Sequence, residues 1–198
     1  MDLRGAGDLL GETQAGHMKL IGLDFYQHML QGALCQARGE AVREDWTPAL
    51  CMAVPAGIPR SYVEEEATRV ELHVRLAAIL RRGDAIALGD FAEEVDDRFG
   101  TPPEEVASLL ALARLRIGCR RLGIAELKAG PSAATARFRG RMPEVEAPLE
   151  RRGDRIRLAR ESQDAAALLT TAKILVNTLA KQRRARRQAP AEDRRVEA

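Results

Sequence analysis

The chain has 198 residues, and its 31 Lys and Arg against 29 Asp and Glu leave a formal net charge of only +2. With 45% hydrophobic and 30% charged residues, it reads as a soluble globular protein able to bury a real core, and its near-neutral balance excludes a polyanion binder acting through bulk charge. Three scattered cysteines, Cys35, Cys51 and Cys119, show no CxxC spacing, which argues against a disulfide framework or a zinc site and predicts a reducing cytosol. No apolar run approaches the roughly 20 residues of a membrane span, and the glycine-rich, charged start is unlike a signal peptide, so a cytoplasmic location is expected.

The opening stretch, DLRGAGDLLGETQAGH (2–17), interrupts Arg4, Gln14 and His17 with Gly5, Gly7, Gly11 and Gly16. From 18 to 38 the apolar residues Met18, Ile21, Phe25, Met29 and Ala33 recur at helical spacing. Residues 39–48 are polar and without period, and predict a linker with Trp46 as a docking point. A short strand then starts at 49 and is ended by Pro55 and Pro59.

Residues 61–82 predict a helix, with Ser61 and Glu64 in capping-box relation, Glu64–Glu66 at the positive end of the dipole and Arg81 and Arg82 at the negative end. Asp90 is placed to cap FAEEVDDRF, with Gly100 just past its end. Thr101, Pro102 and Glu104 mark the next helix start, with Pro102 in its first position; that helix stops at Gly123 and carries the stripe Val106, Leu109, Ala113 and Ile117.

The period then changes. Residues 124–129 and 134–140 flank Gly-Pro-Ser as a hairpin, and 153–159 predict a third strand. A last helix over about 163–182 has Leu168, Ala172, Leu175 and Leu179 as its stripe, and a basic tail, 183–198, is expected to be disordered. The predicted fold class is α/β (α+β): a glycine-hinged helical segment (1–38), a linker (39–48), and a compact mixed domain (49–182) of about four helices and a small, partly antiparallel sheet.

Independent catalysis finds no support. There is no GxxxxGK[ST], GxGxxG or HExxH, and His17, His28 and His73 are far apart and read as surface or packed histidines. No nucleophile, base and orienter can be assembled, and no metal site is expected. Two charged features remain. Glu94 and Asp97, three apart in AEEVDDRFG, share a helix face; they read either as a solvated face or as a docking surface for a basic partner, held rigid by Phe91, Val95 and Phe99. Lys181, Arg183, Arg184, Arg186 and Arg187 in KQRRARR read either as a solvated tail or as a salt-sensitive contact to nucleic-acid phosphates.

The opening stretch resembles the TRG translocation motif that follows the helicase core in RecG and in the transcription-repair coupling factors (Mfd). Arg4, Gly5, Gly7, Leu10, Gly11, Gln14 and Gly16 stand in the motif's pattern, and HMKLIGLDFYQHML continues it in the coupling-factor form. Farther on, IPRSYVEEEATRVELHVRLA, DRFGTPPEEVASLLALARLR and RLGIAELKAG are similar, in the same order, to the Mfd C-terminal domain. The resemblance covers nearly all of 2–182.

It implies a C-terminal part of an ATP-dependent double-stranded DNA translocase of transcription-coupled repair. In that reading Arg4, Gly5, Gly7, Gly11, Gln14 and Gly16 couple motor closure to translocation, the glycines absorbing backbone change. Glu94 and Asp97 fall where the family docks this domain on its own UvrB-like module, masking the surface that recruits UvrA. Further implied partners are the helicase motor lobes and, indirectly, RNA polymerase and duplex DNA, with no membrane. ATP and magnesium belong to motor domains absent from this sequence, so neither cofactor nor motor activity is expected of this chain alone. It departs from the family at Thr13, at Ala15 and at His73, where an aromatic is usual. The alternative is a free-standing, motorless protein that binds a partner or nucleic acid through the acidic face or the basic tail.

Overall fold

A computed structural model describes residues 46–188, so the 1–38 segment and its motif lie outside the described residues. The elements follow from local signals. β1 is Ala49–Cys51 and α1 is Glu66–Arg82. Helix α1 ends because Gly83, at φ 69°, turns left-handed and returns its N–H to the carbonyls of Ile79 and Leu80. Helix α2, Ala85–Phe99, starts where the Asp84 carboxylate accepts from the amides of Ile86 and Ala87, and it stops at Gly100, at φ 80°. Helix α3, Glu104–Leu122, follows Pro103 and ends at Gly123, at φ 79°. Helix α4 is Ala165–Gln188, with Asp164 accepting from the Ala167 amide at 2.7 Å.

Strands β2 (Ile124–Gly130), β3 (Ala133–Phe138), β4 (Leu149–Arg152) and β5 (Arg155–Ala159) join β1 in one five-stranded sheet of order β1-β2-β3-β5-β4. β1 runs parallel to β2 and the other pairs are antiparallel. The β1–β2 connection carries the whole helical layer α1–α3, as a parallel pair requires a long crossover. A register shift between Ile124 and Glu126 lets Ile124 and Leu127, three apart, both point into the core.

Two cores result. One lies between the sheet and α3 and α4, and includes Leu115, Cys119, Ile124, Leu127, Ile156 and Leu175. The other is wholly helical: Leu72 and Leu76 of α1, Leu88, Phe91 and Val95 of α2, and Val106, Leu110, Ala113 and Ile117 of α3. The predicted stripes of α3 and α4 are all buried.

Several expectations are corrected. Ser61 and Glu64 form no capping box; α1 starts at Glu66, and the preceding turn is held by Arg69, whose Nη1 donates to the carbonyls of Val63 and Glu64 at 2.7 and 2.8 Å. Asp84, not Asp90, caps α2, because the helix begins six residues earlier than predicted. Pro102 precedes α3 rather than opening it, since the extended Pro103 (ψ 169°) takes the cap position. The last helix runs to Gln188, so 183–188 is helical rather than disordered; Ala, Gln and Arg are all good helix formers. Strand β4, unforeseen, pairs with β5 across a two-residue turn at Gly153 (φ 61°) and Asp154.

Because α3 serves both cores, Leu115→Ala on its sheet side and Ile117→Ala on its helical side should each cost about 2–5 kcal/mol. Both variants should still unfold in a single transition, checked by coincident circular dichroism and hydrogen-exchange curves in denaturant.

Candidate functional site

The acidic edge of α2 is built on the helical core. Phe91 and Val95 are buried beneath it, and Glu94 projects toward α1, where Arg75 meets it in a two-pronged ion pair. Arg75 Nη1 donates to Oε1 at 2.8 Å and Nη2 to Oε2 at 2.5 Å. Arg98, one turn along α2, adds a third bond to Oε1 at 3.1 Å. Both guanidinium groups also lie over aromatic rings, Arg75 at 5.6 Å from the centroid of Phe91 and Arg98 at 5.0 Å from that of Phe99.

Tyr62 closes the far end of this layer. Its hydroxyl lies 2.6 Å from the Gly100 carbonyl and 3.2 Å from that of Val95, and its ring is 6.0 Å from Phe99. Burial raises its pKa, with Asp96 adding to the effect.

The hydrogen bonds from Arg75 hold the Glu94 carboxyl at about 2, with the one from Arg98 adding to the effect and desolvation opposing it. The same bond raises Arg75. The two residues predicted to dock together are therefore in different states. Glu94 is engaged within the domain, whereas Asp97 is exposed and has no ion-pair partner among the described residues. Asp90 and Glu93, also exposed, stand on the same side of α2 and extend the acidic stripe. The pairing with Arg75 lies 19 residues away in sequence and had no local signal.

The basic segment lies on the last turns of α4. Arg183 Nη1 donates to the Arg121 carbonyl at 3.0 Å, and Arg186 pairs with Glu144 at 2.5 Å and Glu146 at 3.3 Å. Gln182 clasps the backbone of Glu146, accepting from its amide at 3.2 Å and donating to its carbonyl at 2.9 Å. Lys181 and Arg184 are exposed. The helix continues through Arg187. Arg4, Gly5, Gly7, Gly11, Gln14 and Gly16 lie outside the described residues, as do His17 and His28.

His73 sits on α1 with Nδ1 buried and without a hydrogen-bond partner; burial first, then Arg69, lowers its pKa. Among the described residues no group of three or more His, Cys, Asp or Glu could hold a metal ion, and no helix is long and apolar enough to cross a membrane. On the outer face of the sheet, Glu126 is held by Arg155 at 2.8 Å, Lys128 at 3.0 Å and Arg137 at 3.4 Å, which places its carboxyl at about 2, Arg155 contributing most.

A family described as the TRCF domain matches residues 52–147. These residues run from the end of β1 through the helical layer and past β3. By this match residues 52–147 are a TRCF domain. Transcription-repair-coupling factors are similar to it at 36% identity over 149 residues in Mycobacterium tuberculosis, 32% over 143 in Escherichia coli and 31% over 140 in Rickettsia conorii. Each match takes in 70% of this chain and 12% of the relative, so the chain corresponds to a small share of those proteins. The fold of the TRCF domain described above is also similar to a crystal structure of the C-terminal domain of a transcription-repair coupling factor, with a TM-score of 0.57, 14% identity, and coverage of 71% of this chain and 96% of that one.

The state of Glu94 in this TRCF domain is testable. Its folded pKa, about 2, lies below its ordinary 4.5, so its contribution to stability is complete above about 4.5 and is lost as pH falls through about 2. Glu126 acts in the same sense. Arg75→Ala should return the Glu94 carboxyl toward 4.5 in a carboxyl-detected NMR titration while leaving that of Glu126 in place. Because the Arg75–Glu94 pair is about a third exposed, the variant should cost only about 1 kcal/mol.

Proposed function

We propose that this chain acts within a transcription-repair coupling factor, where its TRCF domain docks through the acidic edge of α2 on the UvrB-like module of the same family protein. Docking would mask the surface that recruits UvrA until engagement with stalled RNA polymerase releases it. The observation that carries this reading is the arrangement of the α2 edge: Glu94 braced by Arg75 and Arg98, and Asp97 exposed one turn on. A fixed, solvated row of carboxylates suits a basic partner surface, because its geometry is set before the encounter and charge steers the approach.

In the same reading, Arg4, Gly5, Gly7, Gly11, Gln14 and Gly16 couple closure of ATP- and magnesium-dependent motor lobes to movement on double-stranded DNA. Arg4 can hold a carboxylate or phosphate in two-pronged fashion, and Gln14 can donate and accept. Those roles rest on the resemblance of 2–17 to the TRG motif.

The test is a calorimetric titration of the full chain into an isolated UvrB-like module. Asp97→Lys should weaken binding at least about tenfold, since it puts a like charge against the partner. Glu94→Gln should weaken it less, because Arg75 and Arg98 already neutralise that carboxylate. Absence of binding by a chain whose circular dichroism shows the folded domain would overturn the docking role.

A further inference from the structure

The third dimension gathers arginines that the sequence keeps apart. Arg81 and Arg82 close α1, Arg120 and Arg121 close α3, and Arg183 and Arg184 stand on the last turns of α4. These ends meet. Arg120 Nη1 donates to the carbonyls of Arg81 and, at 3.4 Å, Leu80. Arg121 Nη2 reaches the Gly83 carbonyl at 3.4 Å, and Arg183 binds the Arg121 carbonyl. Hydrogen bonds to neutral carbonyls leave each guanidinium charged. We propose that this end of the domain binds the phosphate backbone of duplex nucleic acid.

Helix capping alone does not account for six cations. The negative ends of α1 and α3 each amount to about half an elementary charge, so the charge of a single arginine would offset both. Arg82 and Arg184 are exposed and make no hydrogen bond or ion pair with the described residues, which leaves them over after the capping is complete. The nearest carboxylate in sequence, Asp84, is occupied at the start of α2. Glu144 and Glu146 are taken by Arg186.

The character of the surface selects the partner. A stable protein interface needs an apolar centre, but of the exposed large apolar residues among those described, Val70 and Val74 lie two turns or more back along α1, and only Ile86 stands near these arginines. Single-stranded nucleic acid is held by aromatic platforms on which bases stack, and the six arginines are accompanied by none in their turns. Arginine without apolar or aromatic companions suits the phosphates of a duplex, which it can grip with paired N–H donors and without regard to sequence. The contact extends well beyond 181–187, because four of the six cations come from α1 and α3.

The measurement is fluorescence anisotropy of a labelled mixed-sequence duplex of about 20 base pairs, titrated with the full chain between about 50 and 200 mM salt. Retention should fall linearly on a log–log plot. The Arg82→Ala, Arg184→Ala double variant should bind at least about tenfold more weakly at the low-salt end and lose about 2 from the slope, close to one per phosphate contact removed. Arg82→Lys with Arg184→Lys should restore most of the binding, and Arg152→Ala with Arg160→Ala, removing the same charge elsewhere, should change little. The proposal is overturned if the wild-type chain retains no duplex, if both alanine pairs weaken it equally, or if polyglutamate of equal charge competes better than unlabelled duplex, the last result assigning the surface to an acidic protein.

Discussion

Everything in this domain hangs on helix α3, which is buried on two opposite sides. Ala111, Leu115 and Cys119, spaced by four, face the sheet, while Val106, Leu110, Ala113 and Ile117 face α1 and α2. Such a helix cannot shift against one layer without opening the other, and close packing transmits any displacement. Gly118 tightens the joint. A Cβ built there would meet Val176 Cγ1 of α4 at 3.1 Å, so α4 lies close against α3 and a side chain at 118 would require Val176 to give by a few tenths of an ångström. The orientation of α2 on one side and α4 on the other, and hence of every charged edge described above, follows from this one element.

The acidic edge then separates two jobs that a pattern of carboxylates cannot distinguish. Glu94 joins α1 to α2 through Arg75, and its partly exposed position means that the pair adds little to stability; its use is to fix the angle between the helices near Phe91. Asp97 has no such engagement and presents its charge outward. An isolated α2 would carry both residues alike. Only the crossing of α1, with Arg75 on the facing side, makes one a brace and leaves the other exposed.

What the sequence disclosed follows the range of the interaction concerned. Gly100 and Gly123 were readable as helix ends because positive φ is a local demand with few solutions, and the stripes of α3 and α4 were readable because burial repeats at the helical period. Helix starts were not, since several side chains compete to satisfy the same free amides: Ser61 and Glu64 look suitable, but Arg69 tying back the Val63 and Glu64 carbonyls settles the turn instead. Strand β4, LERR, carries one apolar residue and so shows no alternation of its own; β5 recruits it through the turn at Gly153. The Arg75–Glu94 pair and the gathering of arginines are products of tertiary packing, and no window of sequence contains them.

A net charge of +2 therefore conceals a strongly divided surface. Helix α2 begins beside Gly83 at the basic end and carries its acidic residues toward the other. From Ala85 to Asp97 is twelve residues, or about 18 Å along the helix axis at 1.5 Å per residue. That separation is about twice the screening length of roughly 8–10 Å in physiological salt, so a cation seated at Asp97 hardly alters the potential at Arg82. Asp97 and Arg82 are thus electrostatically independent though borne on one rigid frame, whereas Asp90, five residues from Ala85, lies within one screening length of the basic end. Under the proposed reading, a partner on the acidic edge and a phosphate backbone at the arginine end would be held together, with α3 fixing the angle between them.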